Sequence, residues 1–195
     1  MDHPNIARLR TFILRFGALP GLPEQELLAE GSTLLRDLVS HDDWLPDMFA
    51  LPLTDKYGQY LLHYDPIGRF SIVSFVWGPG QSTPIHDHTV WGLVGVLRGG
   101  EVVRDYRKCA DGALIPPDHI RRLQPGDVET LSPSAGDIHQ VSNAFGDKVS
   151  ISIHVYGANI GQVRRSSFDD SGSSKPFMSG YTNAVMPNLW GGPWL

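Results

Sequence analysis

The hydrophobic pattern changes its period once along the chain. In residues 5–16, "NIARLRTFILRF", and 24–39, "EQELLAEGSTLLRDLV", the apolar positions recur every three to four residues, which gives a helix one apolar face. Pro20 and Pro23 separate the two runs, so two helices are predicted. A third short helix is predicted over "HDDWLPDMF", residues 41–49. From about Tyr57 the period becomes two. The runs "GRFSIVSFVWGPG", "WGLVGVLRGGEVVRDYR", "HIRRLQPGDVETLS" and "SISIHVYG" read as strands divided by Gly, Pro and Asp turns. The tail from Ser166 is polar and then aromatic; it is expected to wrap the strands with Trp190 and Trp194 packed, and with "DDSGSS" as a mobile loop. The organisation expected for residues 1–195 is one domain: a helical region (1–50), a β core (57–165) and a wrapping tail (166–195).

Composition narrows the class. A chain of 195 residues suits a single domain with a real core, and 21 Gly and 15 Pro between short alternating runs favour all-β. Only 19% of residues are charged, the net charge is −5 and neither sign forms a long run, which argues against nucleic-acid or anionic-membrane partners. Cys109 is the only cysteine, so no intrachain disulfide is expected and a reducing cytoplasm fits. The apolar runs fall short of a membrane span, and "MDHPNIARLRTF" lacks the apolar core of a secretory signal. The expectation is a soluble cytoplasmic protein.

The chemistry concentrates in histidines. In "STPIHDHTVWG" (82–92), His86 and His88 are two apart, so on a strand they face one side while Asp87 faces the other. His139, after the Gly-Asp turn in "PSAGDIHQVSN", would enter from a neighbouring strand. His-x-His alone also describes an ordinary polar strand face; the third histidine is what points to a metal. His3, His41, His63 and His119 stand in polar or terminal contexts and read as surface residues. Three neutral imidazoles leave a divalent ion its full charge and open positions for anionic ligands such as thiolate. The same set suits zinc with a bound water, so it does not fix the metal. In "SISIHVYG", Ser152, His154 and Tyr156 share one strand face, where burial is costly unless they bond one another or a ligand. They read as a hydrogen-bonded relay; the plainer alternative is a core histidine beside a packing tyrosine.

"GQSTPIHDH", from Gly80, resembles the first motif of the cupin family, and "PSAGDIHQVSN", ending at Asn143, resembles the second. That resemblance implies an all-β fold, a cupin jelly-roll barrel with two or three N-terminal helices packed against it. Many cupins carry a glutamate four residues past the second histidine; here that position is Gly92. With the Ser-x-His-x-Tyr strand added, residues from about Tyr57 to Arg165 resemble the thiol dioxygenases, the cysteine dioxygenase type I family, which use Fe(II) and O2 to turn a thiol into a sulfinate. The resemblance implies His86, His88 and His139 as iron ligands and Ser152, His154 and Tyr156 as the catalytic relay.

Two branches of that family differ here. The cysteine dioxygenases of animals carry a cysteine just after the first motif, cross-linked to the relay tyrosine; "TVWGLVG" has none, and Cys109 lies too far along. That branch also has Tyr-x-Arg on an early strand, where this chain reads Tyr57-Gly58-Gln59. Glutamine orients a carboxylate without neutralising it. The chain is therefore more similar to the bacterial glutamine-type 3-mercaptopropionate dioxygenases, in which an arginine after the relay strand holds the substrate carboxylate. "GQVRRSS" offers Arg164 and Arg165, and motif position favours Arg165 alongside Gln59. The partners implied are a small thiol and O2, with no nucleic acid and no membrane. The alternatives are a cysteine dioxygenase converting L-cysteine to its sulfinate, a zinc-dependent cupin hydrolase or isomerase, and a metal-free binding module.

Overall fold

The computed structural model describes residues 5–110, 112–116 and 118–191. Helix α1 (Ala7–Phe16) buries Leu9, Phe12, Ile13 and Phe16, and α2 (Glu24–Val39) buries Leu27, Leu28, Leu35, Leu38 and Val39, the apolar stripe read from the sequence. The third helix shrinks to one 3-10 turn, Asp47–Phe49. Its lost length has a cause: Trp44 is buried with its indole N–H donating to the Leu38 carbonyl at 3.0 Å, so the chain folds back to seat the ring, and Pro46 then holds extended backbone.

Thirteen strands follow among the described residues: β1 (Gly58–Tyr64), β2 (Ser71–Trp77), β3 (Ile85–His86), β4 (Gly92–Arg98), β5 (Glu101–Asp105), β6 (Arg107–Lys108), β7 (Leu114–Ile115), β8 (Arg121–Leu123), β9 (Val128–Leu131), β10 (His139–Asn143), β11 (Ser150–Tyr156), β12 (Arg165–Phe168) and β13 (Ser174–Phe177). They form a five-stranded sheet ordered β1-β2-β11-β4-β9, a six-stranded sheet ordered β13-β12-β3-β10-β5-β8, and a small β6-β7 hairpin. The pairings are antiparallel and most sheet neighbours are distant in sequence, a layout that fits a cupin barrel. The two sheets keep separate ladders, so the barrel is not closed by hydrogen bonds.

The central strands of the five-stranded sheet, β2, β11 and β4, are buried on both faces. Along β11, Ile151, Ile153 and Val155 join the cluster built with α1 and α2. Tyr156 points the other way, into a cluster shared with Val103 and Val141 of the six-stranded sheet. Helix α2 lies close on β4: a Cβ at Gly95 would stand 2.9 Å from Leu35 Cγ and 3.0 Å from Val39 Cγ1.

The sheet continues past the expected limit at residue 165, because β12 and β13 fold back as a hairpin onto β3. The "DDSGSS" segment is a tight turn and not a loose loop, since Asp169 Oδ1 accepts the backbone N–H groups of Ser171 and Ser173, both at 3.0 Å. The tail then caps the open edge of β1. Thr182 N–H donates to the Gln59 carbonyl at 2.7 Å, and the Asn183 amide bridges both backbone groups of Leu61, at 2.8 and 2.9 Å. Trp190 is 58% exposed and not packed as expected. Leu189 takes the buried place, its carbonyl bonded by Arg10, whose guanidinium carbon lies 5.9 Å from the centroid of the Trp190 ring outside. Trp194 and His3 lie outside the described residues. His41 and His119 are exposed as expected, but His63 is half-buried with its ring against Phe70. No helix among the described residues is long and apolar enough to cross a membrane.

Gly95→Val should therefore lower stability by about 1–3 kcal/mol through overpacking against α2. In urea the midpoint should fall with an unchanged slope; an unmoved midpoint would mean α2 is not seated on β4.

Candidate metal centre

His86 closes β3 directly opposite His139 on β10. His88 was expected on the same strand face, but the strand ends first, and Thr89 takes the left-handed region at φ 60. Asp137 holds this unusual turn: its Oδ2 accepts the N–H groups of His88 at 2.7 Å and Thr89 at 3.0 Å. The Gly-Asp turn before His139 thus positions His88 as well. Asp87 faces away, as read, and accepts the Ser166 N–H at 2.7 Å, tying β3 to β12.

All three imidazoles are buried, with ring centroids 4.7–4.8 Å apart and candidate ligand atoms within 4.8 Å of one another. His86 Nδ1 lies 3.1 Å from the Pro84 carbonyl and His88 Nδ1 lies 3.2 Å from the Asp137 carbonyl, which fixes Nδ1–H and leaves Nε2 as a lone pair on each. His88 Nε2 and His139 Nδ1 are buried with no hydrogen-bond partner. Unpartnered lone pairs are costly in a protein interior, and a divalent metal would take them up. Burial, then repulsion from a neighbouring imidazole, holds all three pKa values well below the ordinary value, which keeps the ligands neutral. Among the described residues no carboxylate belongs to the cluster. The residues fit a metal.

Beside it runs the β11 row. Ser152 Oγ is 2.8 Å from His154 Nε2, and His154 Nδ1 is 2.8 Å from the Tyr156 hydroxyl. Trp77 donates its indole N–H to Ser152 at 3.3 Å, and Phe75 stacks on His154 at 4.1 Å. Burial lowers the His154 pKa to about 3 and raises the Tyr156 pKa above the ordinary phenol value. The Tyr156 ring stacks on His88 at 5.6 Å. Gly92 pairs with Tyr156 across the sheet, and a Cβ there would stand 3.0 Å from the tyrosine ring. The space that a side chain at position 92 would take is filled by the ring. Cys109 is half-buried in the β6–β7 turn, its N–H donating to the Ala113 carbonyl at 2.8 Å.

A cavity of about 340 Å³ joins these groups to the rest of the expected site. Arg165 lines it and is 4% exposed, while Arg164 is exposed. Arg165 Nη2 donates to Ser179 Oγ at 2.7 Å, its guanidinium lies 4.7 Å from the Phe177 ring centre, and its Nε–H is buried without a partner. Gln59 also lines the cavity, but its amide N–H groups are committed to Ser179 Oγ and the Gly180 carbonyl, both at 3.0 Å. Because a carbonyl only accepts, that contact fixes the amide's orientation, and Gln59 braces the segment holding Arg165 where a donor to substrate was expected. The sequence reading missed Phe177, Ser179 and Tyr181, which reach the cavity from the tail. It also missed Tyr57 as a lining residue, its ring 4.8 Å from Trp77. The Tyr57-Gly58-Gln59 spacing was the one available signal for Tyr57, and nothing in the tail's polar composition marked the others.

A family model described as cysteine dioxygenase type I matches residues 38–171. Among solved structures, the chain is similar to a double-stranded β-helix protein from Klebsiella pneumoniae (19% identity, 58% of this chain and 82% of that one, TM-score 0.44). It is similar to TT1209 from Thermus thermophilus (18%, 57% and 92%, TM-score 0.45). It is also similar to a cupin 2 conserved barrel domain protein from Salinispora arenicola (23%, 59% and 87%, TM-score 0.43). These structural likenesses are too distant to bear on chemistry.

Four buried histidines with depressed pKa values make the metal-free protein sensitive to acid, and half-buried His63 is shifted in the same direction. The unfolded chain binds protons as pH falls through about 6.5, while folded His86, His88, His139 and His154 resist them, so stability present above that pH is lost below it. Glu101, whose pKa burial raises to about 7, works in the opposite direction and offsets one of them. Unfolding free energies from urea curves with chelator should drop between pH 7 and pH 5, by up to roughly 1.4 kcal/mol per pH unit for each uncompensated histidine. A flat profile would show that the rings are not buried neutral.

Proposed function

The chain belongs to the cysteine dioxygenase type I family, and from that premise we propose that it is a non-haem Fe(II) thiol dioxygenase. The reaction adds both atoms of O2 to a small carboxylate-bearing thiol, RSH + O2 giving RSO2⁻ + H⁺, with 3-mercaptopropionate going to 3-sulfinopropionate. The observation that carries this reading is Arg165: a buried cation with no carboxylate partner among the described residues, in the same cavity as metal-competent histidines. An unpaired buried cation is costly unless its anion arrives with the ligand.

Held by His86, His88 and His139, iron(II) would supply the redox chemistry that lets O2 react with a thiolate sulfur. The rest is done by this chain's side chains. Arg165, braced by Ser179 and through it by Gln59, fixes the substrate carboxylate. Phe75, Trp77 and Phe177 line the cavity and restrict water. Tyr156, whose pKa burial keeps high, retains its proton and is held by His154 and Ser152 to meet oxygen or carboxylate atoms in the cavity. Arg165 would also take the carboxylate of L-cysteine. What favours 3-mercaptopropionate is that, among the described residues, no Asp or Glu lines the cavity to pair an α-ammonium, whereas Lys56 and Arg165 do line it. The partners proposed are the thiol and O2, in a cytoplasmic setting, without nucleic acid or membrane.

Purified protein should carry close to one iron per chain and consume O2 with 3-mercaptopropionate faster than with cysteine or cysteamine. Alanine at His86, His88 or His139 should strip the metal. Full activity in a zinc-loaded, iron-free sample would end this reading.

Arg165→Ala should cost about 1.5–3 kcal/mol of carboxylate binding, roughly a ten- to one-hundred-and-fifty-fold fall in kcat/KM for 3-mercaptopropionate. Cysteamine, lacking the carboxylate, should lose far less. Equal losses for both thiols would make the arginine structural.

A further inference from the structure

Glu101 opens β5 directly after the tight turn at Gly99 and Gly100, in register with Asn143 on β10 and Leu123 on β8. Its side chain is 0% exposed; no contact to either carboxyl oxygen meets full hydrogen-bond geometry, and the Ser152 hydroxyl and Trp77 indole N–H are the donors near enough to act on it. It forms no ion pair among the described residues. The Asn143 amide is spent on the carbonyls of Trp77, Gly78 and Lys148, so it does not serve the acid. The polar groups that face Glu101 are the Ser152 hydroxyl from β11 and the Trp77 indole N–H from β2. Packing alone would place an apolar residue here.

We infer that Glu101 is the far end of the Ser152–His154–Tyr156 chain, a positioning residue that sets the direction in which every hydrogen bond of that chain points. The inference rests on the proposed function only in taking Tyr156 as the group that meets substrate. In this structure the Trp77 N–H donates to Ser152 Oγ at 3.3 Å and takes one of its lone pairs, which leaves one proton and one lone pair to divide between Glu101 and His154.

When Glu101 carries a proton it donates to Ser152. Ser152 must then donate to His154 Nε2, the His154 proton sits on Nδ1 and points at the Tyr156 oxygen, and the Tyr156 O–H is free to donate into the cavity. When Glu101 is ionised each bond reverses. Ser152 donates to the carboxylate, His154 Nε2–H donates to Ser152, and bare Nδ1 takes the Tyr156 proton, so the phenol offers the cavity only lone pairs. Each O–H or N–H bond breaks as the next one along forms, and the chain holds one proton fewer in the second state, lost to water through the cavity. His154 changes tautomer and not charge.

Burial raises the Glu101 pKa to about 7, with Ser152 and then Trp77 the only groups pulling it down, so the direction changes near neutral pH. Tyr156 feels the same carboxylate, whose charge helps to raise the phenol's pKa.

The test is the histidine tautomer, read by NMR on the full chain with ¹⁵N-labelled histidine, loaded with diamagnetic Zn(II), from pH 5.5 to 8.5. The His154 proton should move from Nδ1 to Nε2 as pH rises, with the midpoint of the Glu101 ¹³C carboxyl shift. Glu101→Gln, and separately Ser152→Ala, should each leave one tautomer throughout. In the iron-loaded protein, kcat should fall about tenfold per pH unit above the midpoint, and Glu101→Gln should remove that limb. A wild-type tautomer that does not change with pH, one that titrates apart from the Glu101 carboxyl, or a switch that survives in Glu101→Gln would overturn the inference. If a variant does not fold, the two wild-type titrations decide by themselves. A switch intact in a protein that oxidises no thiol would sink the proposed function and leave this inference standing.

Discussion

The structure depends on one constraint: β11 is buried on both faces. A strand in that position can show only apolar side chains to the helices behind it, and it does so with Ile151, Ile153 and Val155. On its other face it must satisfy every polar atom internally. Ser152, His154 and Tyr156 meet that demand by bonding in series, 2.8 Å at each link. The helices that seal the outer face are therefore part of the site, since without them the strand would have water on one side and no reason to keep its order.

The neighbouring strands are fitted to that row. β2 supplies Phe75 to stack on His154 and Trp77 to bond Ser152, and β4 supplies Gly92, whose missing side chain makes room for the Tyr156 ring. The six-stranded sheet brings the histidines from the opposite side. The two contributions meet where Tyr156 stacks on His88. Metal ligands and relay thus share one interior, in which Arg165 has no counter-ion among the described residues.

Periodicity made the helices and the buried strands legible, because both patterns come from which face is apolar and need no knowledge of partners. The metal histidines were legible for a similar reason, as short motifs with fixed local geometry. What failed depended on contacts between distant segments. His88 leaves its strand because Asp137 grips the turn. Gln59 turns its amide to the tail because Gly180 and Ser179 arrive there from the far end of the chain. The tail itself looked like a wrapping because its polar composition hides a hairpin stitched by Asp169. Glu101 carried no local signal at all: an acid opening a strand after two glycines reads as a solvent edge until the opposite sheet covers it.

The segment from Ser179 to Asn183 performs two jobs within five residues. It braces Arg165 through Ser179, and it covers the unpaired edge of β1 through Thr182 and Asn183. A proteolytic nick in this stretch would therefore release Arg165 from its brace and at the same moment uncover an unpaired strand edge open to pairing with another chain. The placing of the buried cation and the guarding of the sheet edge are entrusted to the same short piece of chain.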